Sequence, residues 1–472
     1  MKVSTTTLAL LAAGVLSLPA FGQTKADFDE MRQEIARLRQ ELNALKAQGA
    51  AAPTAAAPAG SAVNDRIEQL EIKQKDAVVV GDIGNSFRLP GSETSLRIYG
   101  FAELNAVYEG KGDNSNNDYS TFAPYAPING SSSRSGVGYM TARTSRLGVE
   151  ASTPTAYGPL GIKLEGDFNN EPRTGNAAVN GSVANIYTQQ ATNSYNFRVR
   201  QAYGQFGGLM VGQSWSTFMD LDNSPETVDF NGPIGSTFIR QPQIRYAYNT
   251  KDSGTFTVAL ENSSTYVLDA TGVASTLGIS KVPDLIGRWD KGFDWGSMSV
   301  RGLTHELRIN DGNGLEVTRR GYGLAGTALV KMRDALDFAS FALTYGDGIG
   351  RYFNYIEGAA FDAGSNRILL EKALGIVVGY QYKASDTLRA NFVLGAQRNY
   401  DNAYTTFVRA NGLDSGQYGV NRSVYQGHLG FIYNPIKNVD FGAEYIFGQR
   451  ETLAGDKGDL SRVNLSAKYY FN

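Results

Sequence analysis

Arg198, Arg200, Arg240 and Arg245 flank a run that carries Asp220, Asp222, Glu226 and Asp229. A guanidinium can take a carboxylate in two parallel hydrogen bonds. Arginines facing acids across a passage also create a field that orients a charged solute. The order Arg198-Val-Arg200 puts both guanidiniums on one face if the segment is a strand. The chemistry predicted is capture of small anions; whether the acids repel an anion or only align it stays open. Catalysis is not predicted. The two histidines, His305 and His428, fall on separate strands, and Gly212-Gln-Ser-Trp-Ser216 misses the Gly-x-Ser-x-Gly elbow by its last residue. No clustered ligands suggest a metal, and no cofactor is expected.

The elements that must position these residues are strands. At the C-terminus Val463, Leu465, Ala467, Tyr469 and Phe471 alternate with Arg462, Asn464, Ser466, Lys468 and Tyr470. Side chains alternate across a strand, so Ser461–Asn472 is apolar on one face and polar on the other. Sixteen such segments are predicted, beginning with Thr94–Glu109 and including Met140–Ser152, Phe197–Phe206, Leu209–Gln213 and Pro242–Tyr248. The breaks between them alternate strictly between short turns, such as Gly207-Gly208 and Arg333-Asp-Ala335, and long loops. That is the pattern of an all-β, 16-stranded antiparallel transmembrane barrel with tight periplasmic turns and long outer loops. In lipid no backbone polar group can stay unpaired, so the sheet must close. A barrel of this strand number leaves an aqueous channel.

The long insertion after the fifth strand, Trp215–Gln241, mixes Trp215, Phe218, Phe230 and Phe238 with the four acids. A loop in open water has no use for so many aromatics. Folded into the lumen, it packs its oily side on the wall and turns its acids to the pore; a place in a subunit interface is the alternative. Strand parity sets Arg97, Arg146, Lys163, Arg198, Arg200, Arg245, Arg288, Arg301, Lys331 and Arg389 on the lumen side, with Glu103, Glu150, Glu165, Asp167 and Glu261. A lysine or arginine facing lipid near the midplane costs roughly 2–4 kcal/mol, which favours this placement.

The remaining chain reads as export and assembly. Residues 1–22 form a signal peptide: Lys2, an apolar stretch from Leu8 to Leu18, and the small-x-small site Ala20-Phe-Gly22. Residues 23–48 form a coiled coil, with Phe28, Met31, Ile35, Leu38, Leu42 and Leu45 at heptad a and d positions. Acidic g positions Asp27, Glu34 and Glu41 face basic e positions Arg32, Arg39 and Lys46, as a parallel homo-oligomer requires; dimer and trimer are not separated. Residues 49–62 are an Ala/Pro linker. Residues 63–93 hold a short helix on Val63, Ile67 and Leu70, on the oligomer axis or against the barrel rim, and residues 94–472 are the barrel. If the barrel begins at the periplasmic rim, the arm lies in the periplasm. The chain lacks Cys and has a net charge of −2, which excludes a disulfide framework and gives no reason to expect nucleic acid.

Several stretches carry a family resemblance: Leu96-Arg-Ile-Tyr-Gly-Phe101, Val211-Gly-Gln-Ser-Trp-Ser-Thr-Phe218, Pro225-Glu-Thr-Val-Asp-Phe-Asn-Gly-Pro233 and Arg240-Gln-Pro-Gln-Ile-Arg-Tyr246. With the order signal, coiled coil, linker and barrel, the chain resembles the DcaP-like family of trimeric outer-membrane porins. The resemblance implies a homotrimer in the outer membrane of a Gram-negative bacterium, in contact with outer-membrane lipid. It also implies uptake of small anions such as dicarboxylates. The rival reading is a structural or adhesive barrel tethered to the cell wall through its coiled coil.

Overall fold

The computed structural model describes residues 33–40, 43–44, 68, 79–112, 123–128, 136–169, 195–353 and 356–471. These fall into two compact units, residues 1–97 with 151–156 and residues 98–150 with 157–472.

In the first unit residues 33–40 are helical and carry Ile35 and Leu38 of the predicted heptad seam. Phe28, Met31, Leu42 and Leu45, the signal peptide and the Ala/Pro linker lie outside the described residues, as do Val63, Ile67 and Leu70. A short extended pair, Val79–Val80 against Phe87–Arg88, continues onto Leu96 and Ser95. Thr94 and Thr153 join their hydroxyls at 2.8 Å.

Except for the strand ends at residues 95–97 and 151–153, the second unit holds all of a closed antiparallel barrel of sixteen strands. They are β1 (Ser95–Lys111), β2 (Val137–Thr141 and Arg146–Thr153), β3 (Leu160–Asp167), β4 (Arg198–Phe206), β5 (Leu209–Trp215) and β6 (Arg240–Thr250). Next come β7 (Gly254–Glu261), β8 (Asp284–Phe293), β9 (Gly296–Asn310), β10 (Glu316–Met332) and β11 (Asp337–Asp347). The last are β12 (Lys372–Lys383), β13 (Leu388–Asn399), β14 (Asn421–Ile436), β15 (Val439–Thr452) and β16 (Lys457–Phe471). Closure is made by β16 on β1, with Leu465 opposite Ala106 and Ala467 opposite Leu104. The outward positions of the predicted alternation, among them Leu104, Leu164, Val211, Ile244, Leu324, Phe392 and Leu465, are exposed on the barrel surface. That is the solvent-excluded face only if the surrounding medium is lipid.

Three features depart from simple alternation. β2, expected as one strand, breaks between Thr141 and Arg146 because the Ser145 hydroxyl takes the Glu103 N–H at 3.0 Å. β4 carries a bulge: Glu165 pairs with Gln201 and Gly166 with Val199, leaving Arg200 as the extra residue. A bulge turns two successive side chains the same way, and Arg200 and Gln201 both reach Glu165. Third, the lumen is apolar along one sector. Inward-facing Ala259, Ile286, Leu303, Ala325 and Ala373 pack with Phe218, Ile349, Tyr352 and Phe353 from two loops.

At the long-loop end, Ala359–Asp362 pairs with Arg367–Leu370, and helix α1 (Ala403–Ala410) packs nearby. Asn402 caps α1 by accepting from the Tyr404 and Thr405 N–H groups, with Thr405 reciprocating.

Candidate functional site

The chain between β5 and β6, residues 216–239, folds inward. Its ends are tied by Ser216 N–H to Ile239 O at 3.0 Å. Its first part is fastened to β8, β9 and β10. Arg288 donates to Asp220 at 3.4 Å and to Met219 O at 2.5 Å, Arg301 donates to Phe218 O at 3.1 Å, and Thr327 donates to Asp220. Burial works to raise the Asp220 carboxyl, but Arg288, Thr327, Arg301 and Asn223 outweigh it and hold the group below the usual carboxylate range. Further on, Arg389 grips Glu226 with two bonds, at 2.7 and 2.9 Å, and Gln381 adds a third at 2.8 Å. Glu444 accepts the N–H groups of Val228 and Asp229 at 3.0 and 2.9 Å.

The wall is shaped to receive this path. A Cβ on Gly395 would stand 2.0 Å from Ile234 O, so only glycine lets the loop backbone lie this close to β13.

The other side of the loop meets a cluster of arginines. Arg198 takes Asp167 in two bonds, at 2.9 and 3.0 Å. Arg200, 4% exposed, bridges Glu165 at 2.9 Å and Asp167 at 2.7 Å. Arg146 lies 3.8 Å from Glu165. The Arg240 side chain makes no hydrogen bond or ion pair to the described residues, and its Nη1 is buried. Its guanidinium instead lies 4.3 Å from the Trp215 ring centroid. Trp215 packs edge-on against Phe238, and Phe238 against Phe230. Phe230 in turn receives Arg198 and Arg200 at 5.9 and 5.4 Å. Four guanidiniums thus gather about two carboxylates, three of them over the rings of Trp215 and Phe230. The balance is positive, in a setting where planar cations stack on π faces.

Of the residues singled out by sequence, Arg198, Arg200 and Arg240 come together. Arg245 stands apart on β6, opposite Met210 and Ala259, with Arg288, Glu261 and Asp290 as its charged surroundings. The acids do not line up as one row toward the pore. Asp220 and Glu226 are bonded to wall arginines and Asp229 is 2% exposed, whereas Asp222 stays exposed. Asp222 borders a recess of about 510 Å³ that also touches Arg288, Asp290 and Lys291. Two contributors were not singled out. Arg146 had only a wall position, and Glu444 had nothing in its strand to mark it. His305 and His428 are buried and bonded, to Gly348 O at 2.6 Å and to Gln426 at 2.7 Å.

The model of the DcaP outer membrane protein family matches residues 82–471. The chain belongs to that family. Among solved structures it is similar to the outer membrane channel DcaP of Acinetobacter baumannii. Identity there is 26% and the TM-score 0.66, over 80% of this chain and 97% of that one. It is also similar in fold to OmpT of Vibrio cholerae in its trimer form, at 12% identity and a TM-score of 0.49, over 80% and 99% of the two chains. No curated protein matches the chain. As a member of this family it is a porin-like channel of the outer membrane, and its family and structural neighbours are channels rather than enzymes.

Proposed function

We propose that this channel passes small hydrophilic anions, dicarboxylates among them, by passive diffusion through a passage narrowed by loop 216–239. In this reading the protein works as a homotrimer, with residues 23–48 as a periplasmic coiled coil held by Phe28, Met31, Ile35, Leu38, Leu42 and Leu45. The observation that carries it is the surplus of guanidiniums at Arg146, Arg198, Arg200 and Arg240, with Arg240 committed to no carboxylate. A solute carboxylate arriving there finds an arginine whose donors are unspent, backed by the Trp215 ring. Its second carboxylate has Arg198 and Arg200 close by, already sharing Glu165 and Asp167. Fixed loop acids bonded to Arg288 and Arg389 do not compete for these groups.

The test is reversal potential across a KCl gradient with purified protein in a planar bilayer, followed by titration with succinate. An anion-selective potential with succinate-dependent block of current is expected. A cation-selective pore indifferent to succinate would refute the anion reading and leave the channel.

A further inference from the structure

We propose that Glu444 sets the width of the passage, by pinning the tip of loop 216–239 to β15 so that Phe230 stays beside Arg198 and Arg200. The inference rests on the reading of that loop as the narrowing element.

Glu444 is an inward residue of β15 with a fully buried side chain. Its two oxygens divide their work, one taking the Val228 N–H at 3.0 Å and the other the Asp229 N–H at 2.9 Å. These are main-chain bonds, so they fix the path of the chain and not merely one side chain. Phe230 is the next residue, and both Arg198 and Arg200 face its ring. The earlier fastenings, at Asp220 and Glu226, hold the descending limb of the loop. The packing of Ile234 on Gly395 holds the returning limb. The tip between them is where Glu444 acts.

His428, on neighbouring β14, lies beside the carboxylate, with its Nδ1 3.3 Å from Glu444 and its other ring nitrogen bonded to Gln426. Two residues before Glu444, Gly442 leaves room for Val228: a Cβ there would come within 2.9 Å of a Val228 methyl group. The strand therefore offers the tip a slot and a two-pronged acceptor. A bond to a charged acceptor shifts a local equilibrium by about tenfold or more, so losing both converts a held tip into one that samples other positions. Glu444 makes no contact with solute in this scheme; it is a positioning residue.

The experiment is single-channel recording in planar bilayers, with size exclusion read from the block by graded polyethylene glycols. Glu444→Ala is expected to raise the unitary conductance, add flicker and admit larger polymers. Glu444→Gln, whose amide can accept only one of the two bonds, should fall between Ala and the parent. The chain has no Cys, so Val228→Cys with Gly442→Cys introduces its only thiols. In the Glu444→Ala background, the oxidised pair should restore the parental conductance and exclusion size, and dithiothreitol should abolish the rescue. Parental conductance and exclusion size in Glu444→Ala would overturn the proposal, as would an oxidised pair that rescues neither. Should Glu444→Ala fail to assemble, unchanged conductance in Glu444→Gln overturns it equally. Width and ion preference are separate readouts. A parent that proves cation-selective therefore refutes the anion reading without touching this one.

Discussion

Loop 216–239 has arginines on both sides, and the two sets do different things with the same side chain. Arg288 and Arg389 hand their guanidiniums to Asp220 and Glu226 of the loop, and so fasten it. Arg146, Arg198, Arg200 and Arg240 outnumber Glu165 and Asp167, and Arg240 is bonded to neither. Paired arginines hold structure; the proposed function assigns the surplus to a solute. The number of carboxylates within reach separates the two roles, since residue type is constant.

The strongest test of that contrast is Arg200→Ala. Arg198 and Arg146 stay beside Asp167 and Glu165, so the loss is that of buried charge-assisted bonds rather than of the only partner, and costs roughly 1.5–3 kcal/mol. Arg200 is 4% exposed over Asp167 at 0%, so the variant should unfold at clearly lower denaturant than the parent. Equal midpoints would mean that these bonds contribute no net stability. Gly395→Val tests the fastened side. It forces the wall into Ile234 O and, as overpacking, should cost about 1–3 kcal/mol while changing unitary conductance.

A carboxylate with no arginine at all is the limiting case. Glu371, 2% exposed, accepts from the Gly358 N–H and from Asn399 beside Glu357, and no lysine or arginine pairs with it among the described residues. Burial pushes it up to about 8 from 4.5. Between those values the folded state binds a proton that the unfolded state has released. Stability is therefore full below the lower value and falls as pH rises toward 8, by on the order of 1.4 kcal/mol per pH unit. Hydrogen exchange at Gly358 and Glu371 should quicken over that window in the parent and not in Glu371→Gln. A parent whose exchange does not respond beyond the intrinsic rate would contradict it.

The smallest effect on stability is expected at the residue to which the proposed function gives the largest part in selectivity. Arg240→Gln breaks no side-chain hydrogen bond or ion pair to the described residues and loses only the stacking on Trp215, so unfolding should shift by no more than about 1 kcal/mol. Succinate should nevertheless bind about tenfold more weakly, as expected for one lost charge-assisted bond, and the reversal potential should move toward cation preference. A large stability loss with unchanged block would reverse the roles assigned to the two sets. Arg389→Ala completes the contrast. Glu226 is 36% exposed, so the pair is worth about 1 kcal/mol or less. Its effect should appear as channel noise rather than selectivity.

Much of the barrel was legible because a strand reports its two environments in alternate residues. Leu104, Leu164, Val211, Leu324 and Leu465 all stand outside as their parity requires. The rule failed where the inner environment was not water. Ala259, Ile286, Leu303 and Ala325 face inward and are apolar because Phe218, Tyr352 and Phe353 fold onto them. Nothing in β7 to β10 distinguishes that packing from a second lipid face. The bulge at Arg200 was equally hidden, since an extra residue in β4 shows only against its partner strand.

By itself, then, the sequence determined the strand count, the alternation of short and long connections, the outward face and the list of charges kept from lipid. Each of these follows from a local period meeting one solvent. Only the tertiary structure decided which charges neutralise one another. Asp220 reaches Arg288, Glu226 reaches Arg389, Glu444 reaches Val228 and Asp229, and Arg240 reaches none of the carboxylates. Those partners lie 68, 163, 216 and 215 positions apart in the chain for the four bonds made. Electrostatic pairing depends on distance in space, and a closed barrel with a loop folded inside it brings together residues that no sequence period relates.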